Sequence, residues 1–162
     1  MNTHLQWIRE LHAINAIPQP EQGVREALSD MDVIMRQAFL MTGGSEVFRA
    51  LQSGSMEKIL LGLTDLAYAA LEGLALQGAD VQEQPVAWQH DGYVLSLMRI
   101  VSDKINLCSS GRAEHYSGVY CLCRHLTSSF LNADFDKALQ VLHTSKLEKH
   151  DNAPDLSDCL YE

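Results

Sequence analysis

Two segments of this chain read as copies of one another. Ala27–Gly44 aligns with Val94–Gly111 at an offset of 67. Leu28 meets Leu95, Ser29 meets Ser96, Met31 meets Met98, Leu40 meets Leu107, and Gly44 meets Gly111, while Val33-Ile34 faces Ile100-Val101. The stretches that follow align at an offset of 52, Tyr68 with Tyr120 and Leu74 with Leu126. Self-similarity at this period marks a supersecondary unit used twice. The apolar spacing inside the copies is helical: Val94, Met98, Val101, Ile105 and Cys108 recur at intervals of four and three. No stretch shows sustained period-two alternation bounded by turn residues, so the expected fold is an all-α bundle. In it two helical hairpins, over residues 24–81 and 93–147, pack as a pseudo-dimer.

The elements follow from the same periodicity. A first helix is expected over 4–16, stopped by Pro18 and Pro20. A second covers 24–42 and ends at Gly43-Gly44, with a short helix or turn at 46–53. A long apolar helix runs from 56 to 77 and closes at Gly78. Residues 79–91, with Pro85, read as a connector. Helices then cover 93–108 and 113–131, and Asp134 N-caps a last one through Lys146. One domain thus spans 1–147, followed by a polar tail over 148–162 that is expected to fray.

Composition narrows the function classes. With 162 residues, 12 Lys+Arg against 21 Asp+Glu and a net charge of −9, the chain is a poor match for nucleic acid or for anionic membranes, which demand clustered cations. A hydrophobic content of 46% with a mean hydropathy of −0.10 fits a globular domain rather than a disordered one. The most apolar stretch, 59–76, carries Asp65 and Glu72 and reads as a core helix, not a membrane span. No basic segment followed by an apolar one opens the chain. Four cysteines make no disulfide framework at this length, so a cytoplasmic location is expected.

Certain residues also resemble a family. The run Asp65-Leu-Ala-Tyr-Ala-Ala-Leu-Glu-Gly-Leu-Ala-Leu-Gln-Gly-Ala-Asp-Val81 is similar to the second core helix of MazG-like and phosphoribosyl-ATP pyrophosphohydrolase-like proteins. These form the all-α nucleoside triphosphate pyrophosphohydrolase superfamily. Trp7-Ile-Arg-Glu-Leu-His12 with Ile17-Pro-Gln-Pro20 resembles its leader segment. Asp134-Phe-Asp-Lys-Ala-Leu-Gln-Val-Leu-His-Thr-Ser-Lys146 resembles its closing helix. The resemblance covers most of residues 5–147.

The resemblance implies a Mg²⁺-dependent pyrophosphohydrolase, with Mn²⁺ able to substitute. Members place Glu-Glu-x-x-Glu on one helix and Glu-x-x-Asp on the next, so that carboxylates converge on the metal that bridges the triphosphate. In the first half of this chain those positions fall on Met35, Arg36 and Phe39, then Gly62 and Asp65. In the second half they fall on Ser102, Asp103 and Asn106, then Glu114 and Ser117. The implied metal ligands are therefore Asp103, Asn106 and Glu114, helped by Asp65. Lys104, Arg112, Lys146 and His143 are the implied phosphate-facing groups. A homodimer is expected by the same resemblance. The alternative is a catalytically degenerate relative that acts as a nucleotide-binding or protein-interaction module.

Blander readings stand beside these. Asp65 on an apolar helix needs a partner, and Arg36 or Lys104 could supply an ion pair. Asp103 and Glu114 could belong to a solvated face. Cys121, Cys123 and His125 fall on every second residue of a helix and point apart, so with Cys108 and His115 they read as buried structural groups rather than a zinc set. Gly43-Gly44 is followed by no Lys-Ser/Thr and makes no phosphate loop. Met31, Met35 and Met41 suit a core or an interface, and Trp7 and Trp88 suit packing.

Overall fold

The computed structural model describes residues 1–149 and 152–161. Among them are six α-helices: α1 (Thr3–Ile14), α2 (Asp30–Ser53), α3 (Met56–Ala75), α4 (Val94–Leu107), α5 (Ala113–Ser129) and α6 (Phe135–Leu147). Single 3₁₀ turns follow α4 at Cys108–Ser110 and close the chain at Ser157–Cys159. The described residues form no strand, only an isolated bridge between Ala133 and Leu160. None of the described helices is long and apolar enough to cross a membrane.

Helix α3 is the axis of the bundle. Thirteen of its twenty residues are buried, and it packs on α1, α2, α5 and α6. Its hydroxyl-bearing Thr64 is fully buried but donates to the Leu60 carbonyl at 2.7 Å, so no polar atom is stranded there. Local signals set the ends. Ser29 accepts from the Asp32 amide, Ser55 from Lys58, and Asp134 from Lys137, each capping its helix.

The Gly43-Gly44 pair does not end a helix. The segments expected at 24–42 and 46–53 are one helix, α2, which starts later, at Asp30, and stops at Gly54 in the left-handed region (φ 73°). The reason is packing. Gly43 lies on Leu66 of α3, where a Cβ would sit 3.1 Å from its Cδ1, and Gly44 lies on Ile105 of α4. Gly62 answers from α3, facing the backbone of Val47. Glycine here buys close approach between helices at some cost in helix propensity. The aligned pair Gly44 and Gly111 consequently part company: Gly44 is buried in mid-helix, while Gly111 (φ 72°) caps the turn after α4. Tyr68 and Tyr120 fare differently, since both bury their rings and both bond a histidine through the hydroxyl.

The connector between the halves is strapped down. The Gln82 amide donates to Ser117 Oγ (3.0 Å), Gln84 donates to the Glu114 carbonyl (2.6 Å), and His125 Nε2 meets the Trp88 carbonyl (3.1 Å). The tail expected to fray instead folds back in part. Leu156 and Cys159 are buried, and the Asp134 amide donates to the Cys159 carbonyl. Residues 150, 151 and 162 of that tail lie outside the described residues.

Candidate functional site

The half-exposed stripe of α3 runs through Asp65, Ala69 and Glu72, at helical intervals of four and three. It forms one wall of a cleft of about 370 Å³ whose other walls come from α2 and the end of α6. Three residues singled out in the sequence meet here. Asp65 lines the cleft, and Lys146 lies with its Nζ 4.8 Å over the Tyr68 ring. The Tyr68 hydroxyl meets His143 Nδ1 at 3.1 Å. His143 stacks on Trp7 at 5.7 Å between ring centroids.

The charges in the cleft are arranged differently from the expected ion pairs. Arg36, nearly buried, reaches Glu72 rather than Asp65, with Nη1 3.6 Å from Oε2. His12 Nε2 contacts the same oxygen at 3.6 Å, and the Arg36 guanidinium covers the Phe39 ring at 4.7 Å. Lys104 does not line this cleft; its stem packs against Gly118 of α5. Asp65 therefore has no cation within ion-pair distance among the described residues. Burial raises its carboxyl above the usual range, Lys146 opposes that rise, and Glu46 and Glu72 add to it.

The second-half candidates do not join them. Asp103 is exposed on α4. Asn106 lines a separate groove against α2, of about 480 Å³, with Gln37 and Met41. Arg112 and Glu114 lie at a third opening, of about 780 Å³, between the start of α2 and the start of α5. There they pair with each other at 2.5 Å, and Glu114 also has His115 Nε2 at 3.8 Å. Among the described residues no three His, Cys, Asp or Glu side chains are gathered to hold a metal ion. The donor set does not fit Mg²⁺, which needs oxygens arrayed octahedrally. Asp65 is a single carboxylate, Glu72 serves Arg36 and His12, and Glu46 serves Arg49. The four cysteines are free and buried, and burial pushes the Cys108 thiol up to about 12.

A second feature spans the same end of the bundle. His4 and His143 flank the Trp7 ring, at 5.2 and 5.7 Å. His4 Nδ1 meets the Tyr120 hydroxyl at 2.7 Å and its Nε2 meets Asp136 at 2.6 Å. Burial lowers the pKa of both histidines from 6.5, against the pull of Asp136 on His4 and of Glu10 on His143. The folded state thus takes up a proton on either ring less readily than the unfolded chain. The stability this represents is complete above pH 6.5 and is lost as pH falls through that value toward the folded pKa. Thermal melts from pH 8 to pH 5 should show stability falling below about pH 6.5, and an NMR titration should place both rings below 6.5.

Sequence reasoning missed Tyr68, Glu72 and Trp7 as parts of this site. Their signal was present: Asp65, Tyr68 and Glu72 share one face of α3. No family model matches the chain, and no curated protein or solved structure does.

Proposed function

We propose that this chain is a catalytically degenerate relative of the MazG-like, all-α nucleoside triphosphate pyrophosphohydrolases, and that it works as a protein-interaction module. The observation that carries this reading is the Arg36–Glu72 pair. At the register where the family pattern supplies carboxylates, this chain turns a guanidinium into the cleft and ties it to Glu72 of α3. A cation there opposes a second cation by Coulomb repulsion, so the pair works against a metal site rather than toward one. The acids of the second half, Asp103 and Glu114, sit on an exposed helix face and in an ion pair with Arg112.

Lys146 supports a second reading, in which the cleft holds a nucleotide without turning it over. Its ammonium group lines the cleft beside the aromatic ring of Tyr68 and near Arg36, and phosphate and base could use such groups.

One experiment separates these readings from hydrolysis. The purified chain is incubated with a panel of nucleoside triphosphates and phosphoribosyl-ATP, with Mg²⁺ or Mn²⁺, and pyrophosphate is measured. The expected result is no release above the buffer rate. Metal-dependent release that disappears in Asp103→Ala or Asp65→Ala overturns the proposal and locates the working site. Calorimetric titration with the same nucleotides tests the second reading, for which Lys146→Gln should weaken binding by at least tenfold.

A further inference from the structure

The cleft between α2, α3 and α6 gathers charged groups that the chain does not fully pair. Arg36 is 9% accessible, yet its guanidinium makes no hydrogen bond among the described residues, because the 3.6 Å approach of Nη1 to Glu72 is too long to be one. Asp65 is half-buried and has neither a hydrogen bond nor an ion pair among the described residues. Lys146 holds its Nζ over the Tyr68 ring and meets no acid at ion-pair distance among the described residues. All three line the same cleft. Buried polar groups are as a rule hydrogen-bonded, and charges removed from water need a counter-charge. Two cations without a bonded acceptor and one acid without a cation call for an occupant that carries both signs.

We infer that this cleft binds a small zwitterion, its carboxylate on Arg36 and Lys146 and its ammonium on Asp65. The inference goes beyond the interaction-module reading, since it gives the cleft a ligand that needs no metal. Charge balance favours a zwitterion over a polyanion. Arg36 and Lys146 are opposed in the lining by Glu46, Asp65 and Glu72. A triphosphate would add negative charge beside those acids, whereas a zwitterion adds no net charge. Arg36 is suited to the anionic end, because a guanidinium offers paired N–H groups to a carboxylate.

The spacing of the groups sets the ligand's length. Arg36 stands at the Glu72 end of the α3 stripe and Asp65 at the other, with Tyr68 and the Lys146 ammonium between them. Asp65 and Glu72 are two helical turns apart, about 10 Å along the axis. Allowing about 2.8 Å for a charge-assisted hydrogen bond at each end leaves about 5 Å between the ligand's two charges. An α-amino acid is too short for this. An ω-amino acid of γ-aminobutyrate length, or a dipeptide, spans it. The volume agrees: about 370 Å³ is near the lower end of ligand sites, which begin at about 300 Å³.

Calorimetric titration of the full chain with a series of rising length tests this. The series is glycine, β-alanine, γ-aminobutyrate and ε-aminohexanoate, with glycylglycine, butyrate and butylamine beside it. The expected result is an optimum at γ-aminobutyrate or glycylglycine, at least tenfold tighter than glycine, butyrate or butylamine. The tighter of those two shows whether a free ω-amino acid or a peptide is the source of the charges. Asp65→Asn should weaken that binding at least tenfold and leave the melting temperature no lower, since it removes an unpaired, half-buried acid. Lys146→Met should weaken it too, and Lys146 is exposed, so the fold does not depend on it. No binding of any zwitterion up to about 10 mM overturns the inference, as does affinity that ignores chain length or survives both substitutions. Tighter binding of ATP or AMP in the same titrations also overturns it and favours the nucleotide reading. Absence of pyrophosphate release, by contrast, bears on the catalytic reading and leaves this one to its own titrations.

Discussion

Gly78→Ala should cost the protein about 2–4 kcal/mol of stability, well beyond the usual effect of losing a glycine. Gly78 lies in the turn three residues past the end of α3, in the left-handed region (φ 67°), where a Cβ is strained by roughly 1–2 kcal/mol. The surroundings make the position worse. A Cβ would collide with the Val24 carbonyl oxygen and lie 3.0 Å from its carbon and 3.1 Å from the Glu21 oxygen. All three are backbone atoms and cannot turn aside. The loop that presents them is held to the same turn, because the Gly23 amide donates to the Gly78 carbonyl (3.1 Å) and the Glu26 amide to Gln77 (3.0 Å). An alanine therefore pushes this loop off the end of α3. Gly54 is the control: it has nearly the same φ, 73°, and nothing within 4 Å of a Cβ. Urea unfolding of Gly54→Ala should show only the backbone strain. Equal losses in the two variants would mean that the Val24 contact contributes nothing.

Gly62→Val should be the second large loss, about 3 kcal/mol, the upper part of the range for overpacking a close contact. A Cβ at residue 62 lies 3.0 Å from Val47 Cγ2, 3.2 Å from its Cα and 3.3 Å from its amide nitrogen. The methyl of Val47 could rotate, but the backbone of α2 could not, so the branched side chain must wedge α2 from α3. Gly62→Ala is the finer probe. It gains up to about 1 kcal/mol of helix propensity while asking α2 to give a few tenths of an ångström. Thermal melts should separate the two, with the valine variant lower by roughly 6–12 °C in a chain of this size. A valine variant that melts with the parent would mean that α2 and α3 are less closely seated than Gly62 implies.

Much of the fold was legible because its causes are local. The capping Ser29, Ser55 and Asp134 act within three residues of themselves, and the helical spacing of Val101, Ile105 and Cys108 is a property of one helix. The all-α class and the connector at 79–91 could be read from such signals. Gly43-Gly44 could not, because a stop signal and a close-packing site are the same residues in sequence. What separates them is whether another helix lies against them.

The candidate site divides along the same line. Periodicity put Asp65 and Glu72 on one stripe of the central helix, and spacing set Lys146 at the end of the last one. Which cation meets which acid depended on how α2, α3 and α6 cross. Arg36 went to Glu72, Lys146 settled over Tyr68, and Asp103, Asn106 and Glu114 ended at three different places. The sequence by itself thus determined the all-α class, the cap at Asp134 and the helical spacing of the apolar residues, since these arise within a few residues. Only the tertiary structure decided that Met31, Met35 and Met41 of α2 stay exposed, and that the acids stay apart. Those facts depend on helix rotation and packing between residues distant in the chain, and helical spacing carries no record of either.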